Sequence, residues 1–228
     1  MSKKILVIGN GPSTKDLDFL KIKIDTFGMN NSYKIYDKIN FYPTYFGSFD
    51  KRHCTENKDA YCNLILNSPI NKFFFCKDDL EDYPEEIKNN SKVCLINSKS
   101  IKRPNQLYWP ESFEKYRHGG NSGINCVLCS YLLGYKEIFI IGCDSSYDKR
   151  FDENTNDSKA LETINQNYFF DDYYTKDTDR QFQATLRFHR PFWKVLKIRI
   201  PKNIKIFNCS TISKIKDLFE YKNLEIVY

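Results

Sequence analysis

The sequence predicts an α/β fold built on a mostly parallel sheet with helices on both faces. Three observations predict it. Short continuous apolar runs recur along the chain, as in strands buried on both faces. Polar or helix-like stretches separate those runs, so strands alternate with crossovers. The two strongest segments adjoin: "GINCVLCSYLLGY" (123–135) reads as a buried helix and "EIFIIGCD" (137–144) as a buried strand.

The elements follow in order. Residues 5–8, Ile-Leu-Val-Ile, form the first strand. "STKDLDFLKI" comes next, with Leu17 and Leu20 at helical spacing. Residues 25–30 and 43–49 read as the second and third strands, and 72–76 and 92–97 as two more. Gly134 stands where the 123–135 helix needs a C-terminal cap. Residues 203–210 read as a further strand and 211–221 as a final helix.

Bulk properties narrow the function. A chain of 228 residues suits one large domain, or a domain with a small insert. A hydrophobic content of 41% is enough for a packed core. The net charge of +6 is mild. It is compatible with anionic substrates or a membrane surface, and no nucleic-acid motif accompanies it, so no nucleic-acid partner is expected. Of eight cysteines, Cys126 and Cys129 form a CxxC inside the apolar helix. Metal ligation would need a second pair at similar spacing, so buried free thiols are expected and no metal site is read. There is no signal peptide and no apolar run near ~20 residues, which points to the cytoplasm.

The strand–helix rhythm breaks between about 145 and 188. From Asp144 to Arg180 there are ten acidic and five basic residues, with the aromatic cluster "NYFFDDYY" at 167–174. A polar stretch this long inside an α/β domain reads as a lid. Arg187, Arg190, Lys194, Lys197, Arg199, Lys202 and Lys205 then follow with no acidic residue among them. That run, 187–205, reads as a solvated helix face or as a patch for anions or a membrane surface.

Three loops carry the candidate chemistry, because ligands of open α/β sheets bind at the carboxyl ends of strands. Gly9-Asn10-Gly11-Pro12-Ser13 closes the first strand. It lacks the lysine of a P-loop, so a phosphate would meet backbone N–H groups, Asn10 and Ser13. "HGGNSG" (118–123) opens the strongest helix, and so many glycines suggest backbone passing close to a ligand or tight helix–sheet packing. "GCDSSYD" (142–148) ends the strongest strand and places Asp144 at a ligand-facing or turn position. Of the three histidines, His53 follows Lys51 and Arg52 and is expected at the surface. His118 lies beside the glycine loop, and His189 sits where the polar insert ends. A histidine is the natural base for removing a hydroxyl proton near neutral pH.

Taken together, "GNGPS", "SGINCVLCSYLLGYKEIFIIGCD" and a polar insert followed by a histidine resemble the bacterial sialyltransferases of glycosyltransferase family 42. The resemblance spans nearly the whole chain, with its strength in two blocks. It implies a Rossmann-like fold with a lid after the Gly-x-Asp strand, giving a nucleotide-binding domain over 1–144 plus 189–228 and a lid over 145–188. It implies metal-independent, inverting transfer from a CMP-sugar to a glycan hydroxyl, as in surface polysaccharide or lipooligosaccharide synthesis. It maps the general base onto His189. Nucleotide contacts map onto Gly9, Asn10, Gly11, Ser13, Asn30, Ser122 and Gly123, and donor-phosphate tyrosines onto Tyr147, Tyr168, Tyr173 and Tyr174. The chain departs from the family at His118, Gly119, Gly120 and Asn121, where the family carries an arginine, and at Leu186, where it carries a tyrosine.

The glycine turn and the "LGYKEI" block are also similar to the MptE-like and motility-accessory-factor group. That alternative implies a Mg2+-dependent diphosphokinase or other phosphate-transfer enzyme, with Asp144, Asp148, Asp171 and Asp172 as candidate ligands. A third reading is a non-catalytic nucleotide-binding protein of glycan assembly. The expected partners are a nucleotide sugar and a glycan acceptor, with no cofactor. Peripheral contact at the inner membrane face through 187–205 and a homo-oligomeric state complete the expectations.

Overall fold

The computed structural model describes residues 2–146, 162, 164–174 and 186–228, with the backbone alone at 186–188. Tyr147, Asp148 and most of the expected lid lie outside the described residues.

Nine strands form one sheet among the described residues. They are β1 (Lys4–Ile8), β2 (Asp25–Met29), β3 (Tyr45–Ser48), β4 (Lys72–Cys76), β5 (Val93–Ile101), β6 (Arg117–Gly119), β7 (Glu137–Ile141), β8 (Lys205–Asn208) and β9 (Glu220–Tyr221). Their spatial order is β6-β5-β4-β3-β2-β1-β7-β8-β9. Every pairing is parallel, from Leu6 against Thr26 and Phe139 in the centre to Phe207 against Glu220 at one edge. The chain moves outward from β1 to β6 and then returns to the other side of β1. The crevice between β1 and β7 is therefore the topological switch point, where open α/β sheets hold ligands.

Both faces of the sheet are covered, which explains the continuous apolar runs. Ile5, Val7, Phe27 and Phe74 point to one face, beneath α4 (Ser122–Leu132) and α5 (Leu186–Ile198). Phe46, Phe73 and Phe75 point to the other, beneath α1 (Lys51–Glu56), α2 (Lys58–Asn67) and α3 (Glu85–Lys88). Leu6 and Ile8 pack on that second face with Phe139 and Phe207. Each fully buried phenylalanine contributes about 1.5–3 kcal/mol of burial. α4 ends at Gly134 with φ +88°, as its capping position requires. Cys126 and Cys129 are buried free thiols within α4.

Two expected helices take other forms. After β1 the chain makes 3-10 turns at Pro12–Asp16 and Phe19–Lys21. The Ser13 N–H bonds the Asp144 carboxylate and the Thr14 hydroxyl bonds Gly9 O, so tertiary partners displace the helical ladder. The stretch 211–221 forms turns and the short strand β9. There Ser213 N donates to Ser210 Oγ, Ile215 N to Ser213 Oγ and Lys214 N to Asp144 O. Serine side chains take up N–H groups that a helix would have used.

The basic run lies largely on α5. Phe192, Trp193 and Leu196 face the core, while Lys194, Lys197 and Ile198 are exposed. Arg190 pairs with Asp217 at 2.6 Å, and Arg199 donates to Leu107 O. No helix among the described residues is long and apolar enough to cross a membrane.

Candidate functional site

The carboxyl ends of the strands open into a cleft of about 590 Å3. That size suits a small-molecule ligand. Its walls combine the three glycine- and aspartate-bearing loops with the ends of β2, β3, β4 and α5.

The turn after β1 is built by close approach. Gly9 N donates to Ile141 O and Gly11 N to Gly142 O, each at 2.8 Å. A Cβ on Gly9 would stand 2.4 Å from Gly142 O, and one on Gly11 2.5 Å from Asp144 Oδ2. The two glycines therefore let the turn lie against the end of β7. Asn10 is buried between them and its Nδ2 donates to Met29 O at 3.0 Å. Its Oδ1 has no hydrogen-bond partner among the described residues.

Asp144 holds this arrangement together. It is 2% exposed and accepts from Ser13 N at 2.8 Å, Ser13 Oγ at 2.5 Å and Ser210 Oγ at 3.1 Å. The residue lines the cleft, yet its carboxylate is committed to the β1 turn and the end of β8. Ser13 faces Asp144 rather than the cleft wall.

The second loop brings α4 to the end of β2. Asn121 caps α4, accepting from Ile124 N at 3.0 Å. Ser122 Oγ donates to Oδ1 of Asn30, which adopts φ +52° at the end of β2. Asn125 Oδ1 accepts from Gly119 N and from the Tyr116 hydroxyl, bracing the loop from behind. Free N–H groups at the start of an 11-residue helix favour an anion. Gly123 passes so close to Cys143 that a Cβ would meet its Sγ at 2.6 Å. His118 is half-buried and lines the cleft, with Nε2 3.2 Å from Ser98 O.

His189 enters from α5, one turn before the buried Trp193, and is 7% exposed. Burial lowers its pKa to about 4, so the ring is neutral at pH 7. A neutral imidazole is the form that accepts a proton.

His53 departs from expectation. It is 4% exposed and lines the cleft rather than the outer surface. Asp50 caps α1 by accepting from Arg52 N at 2.9 Å. That start turns His53 and Cys54 inward while Lys51 and Thr55 face solvent. Asp50, Arg52 and Asp79 complete this end of the cleft. Neither the polar context of His53 nor the β4 end carrying Asp79 resembled a ligand loop in the sequence.

The described part of the insert contributes to the cleft lining. Phe169 N donates to Asn10 O, and Asn31 Nδ2 to Tyr173 O. Tyr168 and Tyr173 stack at 3.7 Å, and both line the cleft with Tyr174. Asp171 and Asp172 are exposed and outside the cleft lining. Among the described residues, no group of three His, Cys, Asp or Glu side chains is placed to hold a metal ion.

Fold and site together define an α/β protein with an open cleft at the switch point of a parallel sheet. No protein-family model matches the chain, and no curated protein matches it. Among solved structures it is similar to the monofunctional alpha-2,3-sialyltransferase Cst-I from Campylobacter jejuni. That match has a TM-score of 0.60 and 18% identity, covering 96% of this chain and 80% of that one. It is also similar to the sialyltransferase CstII from Campylobacter jejuni in complex with cytidine-5'-monophosphate. Here the TM-score is 0.55 at 18% identity, over 96% and 84% of the two chains. CstII in complex with CMP-3FNeuAc matches with a TM-score of 0.52 and 19% identity, over 97% and 86%. The chain shares the fold of these sialyltransferases.

Proposed function

We propose that the chain is a glycosyltransferase that moves a sialic-acid-like sugar from a CMP-linked donor to a hydroxyl of a glycan acceptor. The observation that carries the reading is the cleft itself. A glycine turn, a helix start and a buried neutral histidine converge at the switch point, in a fold whose CstII relative holds CMP.

The reaction forms a bond from the acceptor oxygen to the anomeric carbon and breaks the bond to the phosphate oxygen, with inversion. His189 takes the acceptor proton as attack proceeds. CMP leaves with the bonding electrons, and its phosphate is met by N–H groups at the start of α4, by Ser122 and by Asn30. Gly9, Asn10 and Gly11 contact the nucleotide, with Ser13 and Asp144 fixing the turn. The insert, 145–188, acts as the lid, with Tyr168, Tyr173 and Tyr174 toward the donor. Closure excludes water, whose attack would waste the donor. The exposed Lys194, Lys197 and Ile198 of α5 suit a peripheral contact with an anionic membrane face.

A thermal-shift screen of CMP, UDP, GDP, CDP and ATP, each with and without Mg2+, tests the donor class. Ligands that bind only the native state raise the melting temperature. CMP alone is expected to do so, irrespective of Mg2+. A shift by ATP or GDP that requires Mg2+ would replace the transferase with the diphosphokinase reading.

A further inference from the structure

The two buried histidines of the cleft come from opposite layers. His189 rides on α5, which packs on the face carrying Val7 and Phe27, whereas His53 rides on α1, which packs on the face carrying Phe46 and Phe73. Both line the cleft at the carboxyl edge of the sheet. The ends of β3 and β4 lie two and three strands from β1. At the usual strand spacing, that is about 10–14 Å from β1. His53 therefore enters the cleft from the β3 end, across from the nucleotide turn and beside Tyr173.

That end is built for polar recognition. The His53 Nδ1 makes no hydrogen bond among the described residues, although the side chain is 4% exposed. Leaving a buried polar atom unpaired is costly unless a ligand pairs it. Asp79 stands at the same end, with its Oδ2 also unpaired. The ring of Tyr173 packs edge-on to His53 at 6.3 Å, and Lys34 fixes Tyr173 through its carbonyl at 3.0 Å. A neutral imidazole can donate to or accept from a hydroxyl, and a carboxyl accepts from one. Burial holds His53 near pKa 4, so the ring stays neutral at working pH.

We propose that His53 is a specificity-determining residue that, with Asp79, pairs with a non-reacting hydroxyl of the acceptor sugar while His189 serves the reacting one. The inference rests on the glycosyltransferase reading above. It assigns the acceptor as a hexoside with a free hydroxyl on the side of the ring away from the one that reacts.

The test measures two reactions of the CMP-sugar donor: hydrolysis without acceptor, and transfer to methyl hexosides and their monodeoxy analogues. Wild type is expected to transfer to at least one hexoside. His53→Ala is expected to lower kcat/KM for that acceptor by about 10- to 100-fold while changing donor hydrolysis, which reports the packing of His53 on Tyr173, by a clearly smaller factor. Removing the paired hydroxyl should cost wild type a similar factor and cost the variant little. His53→Gln, which keeps a polar group, should recover part of the loss and gives the same reading if the alanine variant does not fold. Equal transfer by wild type and both variants, or a deoxy penalty unchanged by them, overturns the role of His53 alone. Intact hydrolysis with no transfer to any hexoside also overturns it. Absence of both hydrolysis and transfer in wild type overturns the glycosyltransferase reading, and this inference with it.

Discussion

The Asp144 carboxylate receives both the backbone N–H and the hydroxyl of Ser13, at 2.8 and 2.5 Å. One aspartate at the end of β7 thereby locks the turn that follows β1. The lock sits in the switch-point crevice, so its loss should affect stability and nucleotide binding together.

Asp144→Asn tests that coupling. The amide turns one acceptor into a donor that faces buried donors. The expected loss is about 2–3 kcal/mol, or roughly 5–10 °C in melting temperature. CMP affinity should fall as well, in titration calorimetry at a temperature where the variant is folded. Unchanged stability would contradict the lock.

Gly142→Ala should be more damaging. Gly142 has φ +70°, and a Cβ there would stand 2.0 Å from Thr14 Oγ1 and 2.4 Å from Gly9 O. Strain and overlap together predict a loss of about 3–5 kcal/mol. Gly134→Ala is the contrast: its φ is +88° but nothing lies within 4 Å of its Cβ. That variant should lose only about 1–2 kcal/mol. Urea denaturation of the two variants gives the comparison.

Stability should depend on pH through the buried histidines. Burial lowers His53 and His189 from 6.5 to about 4. Between those values the unfolded chain binds protons that the folded chain does not. Stability is therefore full above pH 6.5 and falls on acidification toward 4, by up to about 1.4 kcal/mol per pH unit for each ring. Burial raises Asp79 to about 6, which works in the opposite direction between 3.8 and 6. Its partial exposure reduces that counter-effect. Denaturant midpoints should fall between pH 6.5 and 4.5, and a His53→Gln, His189→Gln double variant should show a flatter slope. Equal slopes would show that these rings do not set the dependence.

The central strands were legible because both of their faces are buried. Ile5 to Ile8 and Glu137 to Ile141 need apolar residues at nearly every position. β6 and β9 escaped because Arg117–Gly119 and Glu220–Tyr221 are short edge segments without an apolar run. The 3-10 turns after β1 escaped because their N–H partners, notably Asp144, lie 131 residues away. The glycine loops announced the switch-point half of the site through composition. The other half, with His53 and Asp79, did not, since burial there comes from the way Asp50 starts α1. His53 sits beside two cations in sequence, yet a helix separates neighbours by 100°, so His53 turns inward while Lys51 faces solvent and Arg52 lines the cleft.

The most direct measurement is transfer from a CMP-linked sialic acid to a saccharide acceptor, by wild type and by His189→Ala, with and without EDTA. The account predicts CMP release and a new glycoside with wild type, unaffected by EDTA. It predicts a fall of about 10²- to 10⁴-fold in kcat for the variant, with CMP still bound. Transfer by His189→Ala at the wild-type rate, or wild-type activity abolished by EDTA, would contradict it.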